Sequence, residues 1–291
     1  MIIVNDYIDD IFNDFKEYLD NQENLCELKE EAYFYSNHIP NYDKLCVQQL
    51  YLLRYAYAYI YEYMEMYSYI FNYFYQNKVN YSGWRILSIG TGAGLDLHGL
   101  SLYSEKLNYK ISYSGSDPIK WGYRPEQVCK VNFIFCDDSL ENIIYNNNIY
   151  SKIIIFPKSI GEMAEDILKL FPTKIKSNKI YLMISFANNE DRKKMDILLN
   201  KFNEIGFNSN ILLDKKKVSQ ETKIDIFIKF KVDCYPQDIK KIIGNLNRKF
   251  CNNFDNCYCI SDCNTRLKRF PTETDINFNY SIVEIIKEHK R

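Results

Sequence analysis

The sequence predicts an α/β fold: a seven-stranded, mostly parallel sheet with helices on both faces, an N-terminal helical cap and a Cys-containing C-terminal extension. Three observations lead there. Short apolar runs alternate with helical patterns between residues 84 and 232, the mark of parallel strands joined by crossover helices. No glycine occurs before Gly83, which suits a helical segment. Past residue 232 the alternation stops and cysteines gather at Cys234, Cys251, Cys257, Cys259 and Cys263. The expected division is therefore 1–80, 81–232 and 233–291.

The first part reads as three helices, at about Asp6–Leu19, Glu23–Tyr35 and Tyr42–Tyr75, with Pro40 punctuating the break before the last. That long helix is aromatic nearly all round, so it should be covered on several faces by the next domain, a partner or a substrate. In the middle part the strand candidates are Arg85–Ile89, Lys110–Ser114, Asn132–Phe135, Lys152–Phe156, Lys179–Phe186, Ser209–Leu213 and Lys223–Lys231. Helical patterns fill 95–106, 160–170 and 190–205. The last two strands follow one another closely, so an antiparallel hairpin at one edge of the sheet is expected. A further strand-like run, Ile276–Ile286, lies in the tail.

Charge is uneven. Residues 1–80 carry 5 Lys/Arg against 13 Asp/Glu, and residues 215–291 carry 16 against 10. A basic final third points to an anionic partner, or to the acidic segment of the same chain or of a second copy. Asp6, Asp9 and Asp10 interrupt any leader-like apolar run. Arg54, Glu62 and Glu65 interrupt the most apolar stretch, 47–77. The expectation is a cytoplasmic protein without a membrane partner. Nine cysteines, an odd number, suit reduced thiols better than a disulfide framework. The 26 tyrosines accompany abundant Asn, Lys and Ile, and read mainly as codon bias.

The chemistry-bearing signal is Arg85-Ile-Leu-Ser-Ile-Gly90-Thr-Gly92-Ala-Gly94-Leu-Asp96, a short apolar strand running into a glycine-rich turn and then a helix. Glycines belong there because the chain turns sharply and a ligand must approach the backbone. Later strands also end in polar groups: the second near Asp117, the third at Asp137-Asp138, and the fourth at Pro157-Lys158-Ser159-Ile160-Gly161-Glu162. Ligands in open α/β sheets bind along that carboxyl edge.

This order resembles the Rossmann-like (class I) S-adenosylmethionine-dependent methyltransferases over about residues 84–232. The resemblance implies that Gly90, Gly92 and Gly94 cradle the methionine end of S-adenosylmethionine, that Asp117 holds the ribose, and that Asp137 or Asp138 meets the adenine. It also implies that Phe156–Glu162 faces the reacting methyl. Many members have an acid two residues before the first glycine. This chain has Ser88 there, and Asp96 is the candidate substitute, or an anion favoured in the first turn of the helix. A nicotinamide-binding loop would want glycine at position 95, which is Leu95. Tyr51–Tyr63 and Ser159-Ile-Gly-Glu162 resemble segments of Rsm-type ribosomal small-subunit methyltransferases. Gly94–Leu100 with Asp117–Trp121 is similar to fungal rRNA base methyltransferases.

Ser159 and Glu162 are the catalytic candidates, Glu162 as a general base or as an anchor for an amine. Against that stands a capping box, Ser159 to Glu162, opening the next helix. Trp121 and Tyr123 are placed to flank the adenine or to pack, and His98 reads as packing. In the tail, Cys251, Cys257, Cys259 and Cys263 place four thiols in thirteen residues, a set able to hold zinc or an iron–sulfur cluster, or simply free thiols. Lys240, Lys241, Arg248, Lys249, Arg266, Lys268 and Arg269 surround them, with Phe250, Tyr258 and Phe270 interleaved, which suits a grip on RNA. Three readings stand: a methyltransferase acting on RNA through the basic extension, one acting on a small molecule or peptide beneath the tyrosine-rich helices, and a catalytically silent S-adenosylmethionine-binding subunit.

Overall fold

A computed structural model describes residues 4–21, 40–217, 230 and 278–288. Helix α1 runs Val4–Asp20 and α2 runs Leu45–Gln76, close to the expected bounds. The expected helix at Glu23–Tyr35 lies outside the described residues. Strands β1 to β6 follow as Arg85–Ile89, Ile111–Ser116, Val131–Cys136, Ile153–Pro157, Lys179–Ser185 and Phe207–Lys217. Helices α3 (Leu95–Ser104), α4 (Leu140–Asn146), α5 (Glu165–Lys174) and α6 (Asn189–Glu204) lie between them, and β7 is Phe278–Lys287.

Among the described residues the sheet has seven strands, in the order β3-β2-β1-β4-β5-β7-β6. β1 pairs in parallel with β2 and β4, β2 with β3, and β4 with β5. β7 is antiparallel to both of its neighbours. The antiparallel element is thus present, but it is not the expected hairpin across 214–222. β6 pairs with a strand from the far end of the chain, and the Lys223–Lys231 candidate, apart from Phe230, falls outside the described residues. Burial explains the order. β7 is covered on both faces from Tyr280 to Ile285, as an interior strand must be, while β6, outermost among the described residues, carries Asp214, Lys215 and Lys216. The strand that completes the sheet therefore comes from the segment assigned by sequence to the C-terminal extension. The remainder of that extension, with its four clustered cysteines, lies outside the described residues.

Alternate residues of the strands feed two apolar layers. Ile86, Ile111, Tyr113, Ile155, Met183, Tyr280 and Ile282 face α1, α2 and α3. Leu87, Ile89, Ile154, Phe156, Leu182, Val283 and Ile285 face α4, α5 and α6. Helix α2 is covered along nearly its whole length by α1, α3 and the sheet, and only its ends expose large apolar side chains, Leu45 and Tyr75. Its tyrosines carry hydroxyls that find polar partners at the sheet: Tyr69 donates to the Leu212 carbonyl (2.7 Å) and Tyr73 to Glu284 (3.4 Å). Among the described residues no helix is long and apolar enough to cross a membrane.

Helices α2 and α3 approach closely at Gly99. A Cβ there would lie 2.8 Å from the Met64 amide nitrogen and 2.9 Å from the Ile60 carbonyl oxygen. Alanine would gain about 1 kcal/mol of helix propensity over glycine. The overlap is with backbone, which cannot rotate away, and overpacking of this kind costs about 1–3 kcal/mol. The expected outcome for Gly99→Ala is a net loss of stability, read as a lower urea midpoint at unchanged slope; an unchanged or higher midpoint would refute the close approach.

Candidate active site

The strand order reverses at β1, whose neighbours β2 and β4 connect outward in opposite directions. Their carboxyl ends therefore splay apart and leave a crevice. The loops leaving β1, β2 and β4 meet there, and α2 closes the top. They enclose a cavity of about 150 Å³ lined by Gly90–Ala93, Leu95, Asp117–Ile119, Trp121, Pro157–Ser159, Glu162 and four tyrosines, Tyr42, Tyr51, Tyr59 and Tyr63.

The glycine turn is held from both sides. Gly90, Gly92 and Gly94 all have positive φ (69°, 55° and 77°), and Gly90 and Thr91 both donate to the Ser116 carbonyl. A side chain at Gly90 would collide with Ser159. The Ser159 hydroxyl donates to the Ile89 carbonyl, so the loop after β4 is pinned onto the end of β1. Ser159 makes no side-chain cap, and the expected capping box with Glu162 does not form. A short 3-10 turn, Ile160–Glu162, occupies that place, and α5 begins only at Glu165.

Asp117 stands against the glycine turn. Its Oδ2 accepts from the Gly92 amide (2.8 Å), and its Oδ1 accepts from the Ile119 amide (2.9 Å) and the Trp121 indole (3.3 Å). Burial raises its carboxyl pKa, against the pull of those donors and of the Arg124 charge. Asp96 has a different place. It is wholly buried, and its carboxylate accepts from Thr91 (3.0 Å) and the Tyr113 hydroxyl (2.9 and 3.0 Å). It does not line the cavity; it braces the inner side of the glycine loop. Phe156 is likewise turned away, packed edge-on against Phe171 beneath the sheet.

The third strand delivers its acids elsewhere too. Asp137 pairs with Arg124 (2.5 Å), whose Nε and Nη2 also donate to the Gly92 and Ile119 carbonyls. The same guanidinium lies 4.8 Å over the Phe135 ring. Asp138 accepts from the Ser139 amide (2.9 Å) and the Asn142 side chain (2.7 Å) at the start of α4. Tyr123 points to Asp14 and Gln49 and does not reach the cavity. His98 is buried against Tyr7 (ring centroids 4.1 Å), and burial pushes its pKa down to about 3, so it packs as a neutral ring.

The fourth loop brings Pro157, Lys158, Ser159 and Glu162 to the cavity. Lys158 adopts φ 62° and reaches Glu62 of α2 (2.8 Å), the Phe186 carbonyl (3.0 Å) and the face of Tyr59 (5.1 Å). Glu162 stands at the mouth. Desolvation raises its pKa, with further contributions from the negative charges of Asp117 and Asp191. Sequence reasoning missed Glu62, Arg124 and Gln48. Gln48 accepts from the Gly122 amide (2.9 Å) and donates to the Lys120 carbonyl (3.0 Å), clamping the loop after β2 to α2. The available signal for Glu62 was an acid, with Arg54 and Glu65, interrupting an otherwise largely apolar helix.

The donor set suits S-adenosylmethionine. Asp117 Oδ2 has a lone pair left for a ribose hydroxyl, and the glycine turn leaves its backbone open to the cavity. The volume is short: ligand pockets of this kind run from about 300 Å³ upward. A nucleoside therefore does not fit the cavity as it stands.

No protein-family model matches the chain, and no curated protein matches it. Solved structures similar to it include phosphoethanolamine N-methyltransferase 2 of Haemonchus contortus (13% identity, 72% of this chain and 49% of that one, TM-score 0.36). The chain thus spans about half the length of that protein. Others are a cyclopropane synthase of Mycobacterium tuberculosis (11%, 70% and 78%, TM-score 0.39) and a plantazolicin methyltransferase in complex with S-adenosylhomocysteine (15%, 96% and 99%, TM-score 0.36). At these scores the likeness adds nothing to what the chain's own sheet and loops establish.

Asp96 supplies a test of the loop's inner brace. Its folded-state pKa is raised to about 6, chiefly by burial, so the folded chain holds that proton more tightly than the unfolded chain does. The stability it contributes is complete below about pH 4 and is lost as pH rises through about 6, by about 3 kcal/mol. In Asp96→Asn this loss disappears: between pH 4 and 7 the wild-type chain should lose stability relative to the variant, measured by urea unfolding at each pH. Parallel pH profiles would show that Asp96 is ionised in place.

Proposed function

We propose that this chain is an S-adenosylmethionine-dependent methyltransferase acting on a small molecule or peptide that enters beneath α2. The carrying observation is the glycine turn at the reversal of strand order with the Asp117 carboxylate bound to it, facing a cavity walled by tyrosines. The antiparallel β7, set between β5 and β6, also separates this sheet from the all-parallel order of nicotinamide-binding domains.

The cofactor supplies an electrophilic methyl on a sulfonium. The chain's part is to align an acceptor with it, exclude water and take a proton where the acceptor carries one. Asp117 is suited to hold the ribose, and the turn Gly90–Gly94 to let the ligand approach the backbone. The loop Pro157–Glu162 lies where an acceptor would sit, with Glu162 as the group able to receive a proton. Ser159 is fully engaged with Ile89, so its part is to fix the loop. An RNA acceptor rests on basic residues between 240 and 269, outside the described residues, and the tyrosine-lined cavity favours the smaller acceptor. Zinc or an iron–sulfur cluster at Cys251, Cys257, Cys259 and Cys263 stays a proposal on the same footing.

Calorimetric titration with S-adenosylmethionine and with NADH tests the reading. The former alone should bind. Asp117→Asn should weaken it by about 10- to 100-fold, the worth of a hydrogen bond to a charged group. Equal affinity in the variant would remove Asp117 from the cofactor site, and binding of NADH alone would replace methyl transfer by hydride transfer.

A further inference from the structure

The lining of the cavity has a charge and a surface character that the methyl-transfer reading does not itself require. Its wall from α2 is made of tyrosine rings. Tyr51 lies 5.5 Å from Trp121 and 6.3 Å from Tyr59, and Tyr59 lies 6.3 Å from Tyr63. Burial holds the hydroxyls of Tyr51, Tyr59 and Tyr63 well above their usual range, so they face the cavity as neutral rings. Aromatic faces attract cations through the ring quadrupole. One face here already holds a cation: the Lys158 ammonium sits 5.1 Å over Tyr59.

The charges point the same way. The lining holds two carboxylates, Asp117 and Glu162, and a single cation, Lys158. Lys158 is neutralised by buried Glu62, so the lining itself presents the two carboxylates, with the Arg124 charge acting on Asp117 and the Arg54 charge on Tyr42 and Tyr59 from outside it. Asp117 is satisfied by three donors, two of them backbone amides. Glu162 has no hydrogen-bond or ion-pair partner among the described residues, and the charges nearest to it, Asp117 and Asp191, are also negative. An anionic ligand would meet repulsion from both carboxylates, and a neutral one would gain nothing from Glu162, which stands exposed at the mouth.

We propose that the acceptor is a cationic amine, seated against the Tyr51, Tyr59 and Tyr63 rings with its nitrogen turned to Glu162. This rests on the methyl-transfer reading. The amine enters as an ammonium and gives one proton to the Glu162 carboxylate. The freed nitrogen lone pair forms a bond to the methyl carbon of the sulfonium donor. The carbon–sulfur bond breaks with its electron pair left on sulfur, giving the N-methylated ammonium, S-adenosylhomocysteine and protonated Glu162.

The test uses the full chain and small probes that differ mainly in charge. Tetramethylammonium, tert-butanol and acetate are titrated calorimetrically, with and without saturating S-adenosylhomocysteine. The expected result is tetramethylammonium bound at least tenfold tighter than tert-butanol, and acetate bound worst. Glu162→Gln should weaken tetramethylammonium about fivefold or more while still binding S-adenosylhomocysteine. Tyr51→Phe should keep the cation, and Tyr51→Leu should lose it. Equal binding of tetramethylammonium and tert-butanol, or a preference for acetate, with S-adenosylhomocysteine still bound, overturns the amine and leaves methyl transfer standing. A chain that binds tetramethylammonium but not S-adenosylhomocysteine overturns methyl transfer and, with it, the role of that cation as acceptor.

Discussion

The site is organised around one buried contact, that between Glu62 and Lys158. Glu62 has no exposed surface, in the middle of a helix made mostly of tyrosine and aliphatic residues. Its carboxylate collects the Lys158 ammonium, the Ser185 hydroxyl (3.0 Å) and the Asn279 amide (3.4 Å). Those groups come from the loop after β4, the end of β5 and the start of β7. A buried pair of this kind adds little net stability, because desolvation offsets most of the attraction. What it fixes is register. A shift of α2 by one residue would leave two charges buried without partners, at a cost of about 3–5 kcal/mol. The tyrosines at positions 51, 59 and 63 therefore point where Glu62 obliges them to point.

Two aspartates close in sequence show how environment separates structural from ligand-facing acids. Asp96 and Asp117 both touch the glycine loop, and both are raised by burial. Asp96 accepts mainly from side-chain hydroxyls on the inner side of the loop, and burial dominates. Asp117 accepts two backbone amides and an indole, lies near the Arg124 guanidinium, and keeps an oxygen lone pair toward the cavity. From the sequence, Asp96 was a candidate to hold the cofactor's amino group or an anion favoured in the first turn of α3. It does sit there, but the group it faces is Tyr113 of β2, a contact between distant residues that no local pattern announces.

The same distinction decides what was legible in the sequence. β1 and its glycine turn were read to the residue because positive φ leaves glycine as a visible trace. The other five strands of the 84–217 segment were placed within a few residues, β4 and β5 most plainly because buried parallel strands are apolar throughout. The position of β7 was not legible: Phe278–Lys287 reads as a strand, but nothing in a run of apolar residues says which neighbour it will pair with, and the nearer hairpin was the natural expectation. α4 went unnoticed because it has only seven residues. The tyrosines were read as codon bias, and composition alone supports that. Their spacing along α2 became meaningful only once Trp121 and Lys158 were found beside them.

The small cavity follows from how the loops are tied. Arg124 spans Gly92, Ile119 and Asp137, and Trp121 rests on Asp117, so the crevice between β1 and β2 is filled by two side chains that each make polar contacts of their own. Opening it breaks a partly exposed ion pair, the two Arg124 bonds to the Gly92 and Ile119 carbonyls and one long indole hydrogen bond, worth about 1 kcal/mol each. The β4 side differs. There Ser159 is locked onto Ile89 and Lys158 onto Glu62, and neither contact can be released without burying an unpaired group. The crevice therefore has one yielding wall and one fixed wall. A ligand that enters by displacing Trp121 and Arg124 is pressed against the fixed one, where Glu162 and the tyrosine rings wait. On the methyl-transfer reading proposed above, that asymmetry lets a cavity too small for a nucleoside become a site in which its reactive end is held in one orientation.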